Sequence, residues 1–219
     1  MKWVENFDLF LFDFDGLLVD TEPLHYRAYV ETLAQRGVLL DWSFIQFCAL
    51  AHLSASALRE AFYAKWPDLD PDWEGIYADK KKAYLRLVLQ GEVQLMPGVE
   101  KLLRCLEQKE IRRCVVTHSP QEQIDLICSH LPQLKTIPHW ITRHQYKQPK
   151  PHPECYRKAI ELYSHDGDRI IGFEDSVRGW QALRQTQARP VLICPPEHPL
   201  LSEALALGAD HVASFDLMD

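Results

Sequence analysis

The stretch that decides the fold is residues 7–16, which read FDLFLFDFDG. Its first six residues form an aromatic and aliphatic run that predicts a buried β-strand. The run breaks into Asp13 and Asp15, two carboxylates two residues apart, and Gly16 follows, where the backbone can turn sharply. The stretch therefore predicts a strand that delivers two acids at its carboxyl end.

Similar apolar runs recur along the chain and alternate with helical patterns. Further strands are predicted at Ile111–Thr117, Arg169–Phe173 and Pro190–Cys194, with weaker ones at Ile137–Thr142 and His211–Ala213. Helical patterns begin after Pro97-Gly98, after Pro153 and after Ser176, which is a good N-cap residue. Alternation of this kind predicts an α/β fold, a Rossmann-like, doubly wound parallel sheet with its functional site at the carboxyl ends of the strands.

One segment, from about residue 21 to residue 91, breaks the alternation. It shows only helical periodicity, with an apolar stripe made of Trp73, Ile76, Tyr77, Tyr84, Leu87 and Val88. We therefore expect a catalytic core of residues 1–20 and 92–219 and a helical cap of residues 21–91, inserted after the first strand. Because the insertion leaves the core just beyond the acids, we expect it to cover them like a lid.

Composition excludes several classes of protein. The 219 residues are 47% hydrophobic and 25% charged, as in ordinary globular proteins, and 24 basic against 31 acidic residues give a net charge of −7. That balance leaves no broad cationic face for nucleic acid or membranes, and the single basic run, Lys80–Lys82, is too short to change this. Six cysteines without a CxxC pair indicate reduced thiols. We expect a cytoplasmic protein, monomeric or weakly oligomeric.

Other polar residues stand at the ends of the predicted strands. Thr117 and His118 end the second strand, where a hydroxyl and backbone N–H groups can bind an anion. Lys150 lies in a rigid Lys-Pro-His-Pro segment before a helix, and Glu174 and Asp175 repeat the pattern of the first strand. Each feature alone is explained by capping or solvation, but acids at two strand ends with a hydroxyl and a lysine at others are not.

In that order, Asp13-x-Asp15-Gly16, Thr117, Lys150-Pro151-x-Pro153 and Glu174-Asp175-Ser176 resemble the four motifs of the haloacid dehalogenase superfamily. The segment from Asp13 to Glu22, followed by His25 and a helical insertion, further resembles the subgroup of β-phosphoglucomutase and phosphoglycolate phosphatase. The resemblance extends over nearly the whole chain.

The resemblance implies a phosphatase that hydrolyses a small phosphorylated metabolite with Mg²⁺. In such enzymes Asp13 attacks phosphorus to form an aspartyl-phosphate, while Asp15 protonates the leaving oxygen and then activates water. The metal is held by Asp13, the backbone carbonyl of Asp15, and Asp175, with Glu174 assisting. Hard oxygen ligands suit Mg²⁺, and the chain has no compact His/Cys set that favours zinc.

The same resemblance makes Asp13, Thr117, His118 and Lys150 the phosphate-binding residues, with Thr117 and Lys150 also taking part in catalysis. His118 stands where the resemblance leads us to expect a smaller Asn or Ser, and the catalytic scheme holds if only its backbone contacts the phosphate. Thr21, His25 and His52 are candidates for substrate specificity. The sequence does not decide whether Thr21 and His25 face a substrate or only cap and pack a helix.

Other functions remain open. The resemblance implies that a sugar-phosphate mutase carries a substrate-binding loop with Gly followed by Arg or Lys, which holds the second phosphate. A phosphomutase is disfavoured because residues 44–59 contain no such pair. The nearest polar residues, His52 and Arg59, are interpreted as surface residues. A haloacid dehalogenase is disfavoured because displacement at a carbon–halogen bond needs no metal and therefore does not require Asp15 or the Glu174-Asp175 pair. A response-regulator receiver is disfavoured because the helical insertion would have no function in it. A catalytically silent phosphate-binding protein of the same fold stays possible.

Overall fold

The computed structural model describes residues 1–218, which form two compact units. Met1–Asp20 and the chain from Gln94 onward form the sheet unit, and Thr21–Val93 forms the helical unit. In chain order the helices are α1 (Glu22–Ala34), α2 (Phe44–Ala51), α3 (Ala55–Lys65), α4 (Trp73–Leu89), α5 (Val99–Gln108), α6 (Gln121–His130), α7 (Glu154–Tyr163), α8 (Val177–Leu183) and α9 (Leu201–Ala206).

The sheet unit contains six parallel strands. They are β1 (Leu9–Phe12), β2 (Arg112–Val116), β3 (His139–Ile141), β4 (Ile170–Glu174), β5 (Arg189–Ile193) and β6 (Asp210–Val212), arranged in the order β3-β2-β1-β4-β5-β6. The predicted doubly wound α/β fold is therefore confirmed. The chain winds away in opposite directions from β1 and β4, and ligands of such sheets bind at the carboxyl ends of the strands beside that switch point.

The two faces of β1 pack differently because successive side chains point to opposite sides of a sheet. Leu9 and Leu11 belong to a cluster that joins the sheet to α7 and α8 through Tyr156 and Leu183. On the other face the rings of Phe10 and Phe12 join an aromatic group with Phe173 and Phe215. Both faces of the central strand are thus covered by apolar side chains, as the continuous apolar run of a parallel strand requires.

The helical unit has a core of its own. Its centre is formed by buried side chains that include Tyr29, Phe47, Phe62 and Ile76, and the three indoles expected in this core, Trp42, Trp66 and Trp73, pack against it. Ser43, Ser54 and Asp72 cap the N-termini of α2, α3 and α4 with their side chains.

The apolar stripe predicted for α4 needs a correction at Tyr77. Ile76, Tyr84 and Leu87 are buried, but Tyr77 is 40% exposed. It follows Ile76 directly, and a step of one residue turns the side chain about 100° around the helix and away from the core. Lys80, four residues after Ile76, takes the buried position instead.

Two further features concern the cysteines and the apolar character of the helices. None of the six cysteines, all within the described residues, forms a disulfide. No helix in residues 1–218 combines the length and the apolar character needed to cross a bilayer.

Candidate active site

The acids at the ends of β1 and β4 lie side by side because the two strands are neighbours in register. Phe12 pairs with Phe173, and the amide of Asp13 donates to the Phe173 carbonyl over 3.0 Å. Asp13 therefore leaves the sheet at the level where Glu174 ends β4. Atoms of Asp13, Glu174 and Asp175, one carboxylate oxygen from each, all lie within 4.8 Å of one another.

Glu174 is fully buried, and the alternation of the strand explains why. Its neighbour Phe173 faces the aromatic group, so Glu174 points to the opposite face, where α7 and α8 pack. There it accepts a hydrogen bond from the hydroxyl of Tyr156 and lies in an ion pair with Lys150. A Cβ at position 179 would collide with its carboxylate, so Gly179 leaves the space that Glu174 occupies.

Lys150 links three strand ends. Its Nζ lies 2.6 Å from Asp13 Oδ1 and 2.7 Å from Glu174 Oε1, and it donates to the carbonyl of Val116 at the end of β2 over 2.9 Å. Burial disfavours the ammonium, but the charges of the Asp13 and Glu174 carboxylates outweigh burial and raise the pKa of Lys150. The side chain is a fixed cation at the carboxyl edge of the sheet.

Charge is nevertheless out of balance among these groups. Three clustered carboxyl groups face one ammonium, which leaves one negative charge in excess when Glu174 is protonated and two when it is ionised. Burial, and then the charge of Asp13, raise the pKa of Glu174 to about 7. Its Oε2 is buried without a hydrogen-bond partner among the described residues. The donor set, the excess charge and the unpartnered oxygen fit a hard divalent cation held by Asp13, Glu174 and Asp175.

Gly16 lets the loop after β1 approach the acid pair after β4. Its φ is +76°, a conformation that side-chain-bearing residues rarely adopt, and a Cβ there would collide with Asp175 Oδ2. The glycine that follows the first pair of acids is thus required by the position of the second pair.

Thr117 and His118 follow β2 at the same edge of the sheet. Thr117 is buried. Its Oγ1 accepts a hydrogen bond from the amide of Ser119 over 3.0 Å and donates a weak one to Asp15 Oδ2 over 3.5 Å. The ring of His118 bonds through Nδ1 to the hydroxyl of Tyr146, which lies 2.8 Å away and also donates to the Thr117 carbonyl. Partial burial, followed by the nearby cations Arg143, Arg178 and Lys150, lowers the pKa of His118 to about 4, so its ring is neutral at neutral pH.

The three specificity candidates lie in the helical unit. Thr21 is fully buried, makes no side-chain cap, and its Oγ1 has no partner among the described residues. The ring of His25 stacks on Tyr84 with centroids 4.2 Å apart, and its Nδ1 lies 2.7 Å from Lys80 Nζ. Burial and the charge of Lys80 lower the pKa of His25 to about 3.

His52 is not the surface residue that the sequence suggested. Its side chain is only 12% exposed and its Nε2 lies 3.5 Å from Glu22 Oε1. The reason is that His52 is the C-cap of α2 and sits beside the first residue of α1. Burial opposes ionisation of Glu22, but the hydrogen bond and charge of His52 outweigh it and, with His25 and Lys80, lower the pKa of Glu22 to about 2.

Several residues that bond to these groups were not predicted as site residues. No functional role was predicted for Tyr146, Tyr156, Ser119 or Gln123, and Lys80 stood only in the short basic run Lys80–Lys82. A signal existed only for Lys80, because positions 76, 80 and 84 fall on one face of a helix.

Comparisons with known proteins show the family to which the chain belongs. A sequence profile of the haloacid dehalogenase-like hydrolases matches residues 10–193. CbbY of Cereibacter sphaeroides is 27% identical over 188 residues, 83% of this chain and 82% of that protein. A phosphorylated carbohydrates phosphatase of Thermotoga maritima is 27% identical over 176 residues, 80% of this chain and 79% of that protein.

The fold matches as well. The crystal structure of CbbY from Rhodobacter sphaeroides in complex with phosphate superposes with a TM-score of 0.78 at 26% identity, and the match covers 97% of this chain and 96% of that one. The resemblance drawn from the four motifs is therefore confirmed at the level of the family. The chain is an enzyme that belongs to the haloacid dehalogenase-like hydrolases.

Proposed function

We propose that the protein hydrolyses the phosphate monoester of a small metabolite through a phosphorylated Asp13. The observation that carries the proposal is the environment of the Asp13 carboxylate, which is paired with Lys150 and clustered with Glu174 and Asp175. A carboxylate attacks an anionic phosphate ester only where cations neutralise the phosphoryl oxygens. Lys150 supplies one positive charge, and the excess of carboxylates beside it suits another.

The second charge in this proposal is Mg²⁺, held by Asp13, Asp175 and Glu174 and by the backbone carbonyl of Asp15. When bound, it neutralises the transferring phosphoryl group and the cluster of carboxylates together. Thr117, the backbone of His118, and Lys150 bind the remaining phosphoryl oxygens.

The two aspartates after β1 have different roles in this proposal: Asp13 is the nucleophile, and Asp15 is the general acid and base. In the first step an oxygen of Asp13 forms a bond to phosphorus as the bond from phosphorus to the ester oxygen breaks, and Asp15 gives that oxygen its proton. In the second step the oxygen of a water molecule forms a bond to phosphorus, the bond to Asp13 breaks, and Asp15 takes up the proton of the water. Inorganic phosphate leaves and both aspartates return to their first state.

The relatives and the charge support a proposal for the substrate class. A phosphatase of phosphorylated carbohydrates and a phosphate-bound CbbY are among the proteins this chain is similar to. The net charge of −7 disfavours polyanionic partners such as nucleic acid. We therefore propose a small phosphorylated carbohydrate as the substrate, with the helical unit, residues 21–93, acting as a cap that selects it.

A phosphomutase is the second candidate, and one observation favours it. The helical unit does hold a buried cation, Lys80, which lies beside His25 and against the rings of Tyr29 and Tyr84. Residues 44–59 lack a Gly followed by Arg or Lys, but Lys80 gives the helical unit a cation at another position. A mutase needs such a charge to retain a second phosphate, whereas a phosphatase does not.

A panel of sugar phosphates, with Mg²⁺ and with EDTA, tests the proposal. We expect release of phosphate that requires Mg²⁺, none from Asp13→Asn, and unchanged turnover by Glu122→Gln, a surface substitution on α6. Phosphorus NMR of the products separates the candidates, because a mutase yields an isomeric sugar phosphate and little free phosphate. Binding of phosphate without turnover of any ester would instead support the catalytically silent protein.

A further inference from the structure

The carboxylate of Asp15 is held by residues from the segment that follows β2. Ser119 Oγ donates to Asp15 Oδ2 over 2.5 Å, and Gln123 Nε2 donates to Asp15 Oδ1 over 3.3 Å. Each carboxylate oxygen thus has its own donor. Together with the weak bond from Thr117 Oγ1 to Oδ2, these donors on two oxygens fix both the position of the group and its rotation about the last side-chain bond.

The two donors are also joined to each other. Gln123 Nε2 lies 3.1 Å from Ser119 Oγ, so the amide gives one hydrogen to the hydroxyl and the other to the carboxylate. Ser119 is only 8% exposed, and its backbone amide is bonded to Thr117. We call Ser119 and Gln123 the hydroxyl–amide pair.

A neighbouring residue shows that this orientation is not the ordinary behaviour of a glutamine on α6. Gln121, two residues earlier, donates to Asp125 one turn along the same exposed surface. Gln123 instead lies on the side of the first turn that faces the loop after β1. Pro120, the N-cap of α6, starts the helix directly after Ser119 and so places both members of the pair at one end of it.

We propose that the hydroxyl–amide pair positions Asp15 for proton transfer to the leaving group, which makes Gln123 and Ser119 positioning residues of the reaction. The inference rests on the proposed function, in which Asp15 is the general acid and base. Proton transfer requires the two heavy atoms to be within hydrogen-bond distance, and a misplacement of about 1 Å costs up to about 100-fold in rate. Loss of either donor frees the carboxylate to rotate away from that position.

Leaving-group dependence tests this directly. Phenyl phosphate has a leaving group that needs a proton, whereas the dinitrophenolate of dinitrophenyl phosphate leaves without one. We expect Gln123→Met, which keeps the length of the side chain but has no donor, to lower kcat/KM for phenyl phosphate by about 10- to 100-fold. For dinitrophenyl phosphate the expected loss is at most about threefold. Ser119→Ala should show the same selectivity.

Two reference variants make the result specific. Gln121→Met is the matched control and should keep both rates, and Asp15→Asn sets the largest selectivity that loss of the acid can produce. Thermal unfolding of each variant checks that it is folded, and Ser119→Ala provides the test if Gln123→Met does not fold.

The outcomes separate the two hypotheses. If Asp15→Asn lowers kcat/KM for both esters equally, the acid role of Asp15 in the first step fails and with it this part of the proposed function. If Asp15→Asn is selective but both variants of the pair slow the two esters equally, or slow neither, the positioning role is overturned while the proposed function stands. Selective loss in Asp15→Asn and in the pair supports both.

Discussion

Removing the charge of Glu174 should change how the stability of the metal-free protein depends on pH. In Glu174→Gln the amide keeps the shape of the side chain but cannot ionise. In the native chain Glu174 is fully buried, and burial together with the charge of Asp13 raises its pKa from 4.5 to about 7. Between these two values the folded state holds a proton that the unfolded state has lost.

The sign and the size follow from linkage. Because the folded pKa lies above the unfolded one, Glu174 contributes stability that is fully present below pH 4.5 and is lost as the pH rises through about 7. The difference between the folded and unfolded pKa values of Glu174 contributes about 3 kcal/mol at most to the free energy of unfolding. About 2–3 kcal/mol of this contribution is lost between about pH 5 and pH 8. For a chain of this length, that is a fall in Tm of about 5–10 °C.

Urea unfolding followed by tryptophan fluorescence, in EDTA and across this pH range, measures the effect. We expect the native chain and the surface control Glu122→Gln to lose stability as the pH rises, and Glu174→Gln to lose about 2–3 kcal/mol less. Saturating Mg²⁺ should remove the fall in the native chain, since the ion favours the ionised carboxylate. Equal pH dependence in the native chain and Glu174→Gln without metal would refute the reasoning.

Three further predictions concern the two aspartates, a glycine and the core. With dinitrophenyl phosphate and a brief acid quench, mass spectrometry should find a phosphate adduct on Asp13 in Asp15→Asn and none in Asp13→Asn. Asp13→Asn should also lose turnover by several orders of magnitude. An adduct on another residue contradicts the assignment. Gly16→Ala should weaken Mg²⁺ binding in calorimetry, because its Cβ collides with Asp175 Oδ2 and its φ is positive, and unaltered binding would speak against it. Phe12→Ala, at a fully buried ring, should cost about 3–5 kcal/mol in urea unfolding, and a loss below about 1 kcal/mol would mean that the aromatic group is not tightly packed.

Much of the fold could be predicted because its signals are local. The run before Asp13 is apolar at every position, as a central parallel strand requires, and the strands that follow are bounded by turn residues or by acids. The bounds of the strands were predicted less well. The first strand begins at Leu9 rather than at the predicted Phe7, and the second ends at Val116 rather than at the predicted Thr117. Helix α9, only six residues long, gave too short a pattern to be recognised.

The partners of the site residues could not be predicted in the same way. Tyr156 reads as an apolar position of α7, and whether its hydroxyl meets Glu174 depends on how that helix is rotated and shifted against the sheet. Gln123 and Gln121 have the same chemistry two residues apart, and only the packing of α6 decides which of them reaches Asp15. Lys80 is hidden in a run of three lysines whose other members, Lys81 and Lys82, are exposed.

The clustering of the acids is itself a consequence of register. Phe12 pairs with Phe173, so the residues that follow, Asp13 and Glu174, leave two neighbouring strands at the same height. A slip of one residue between β1 and β4 would turn Phe173 away from the aromatic group and move Glu174 to the face where that group packs. The stacking of Phe12 on Phe173, with ring centroids 5.5 Å apart, disfavours that slip and so keeps Glu174 beside Lys150. The apolar contacts of the sheet therefore favour the one register that brings the carboxylates together.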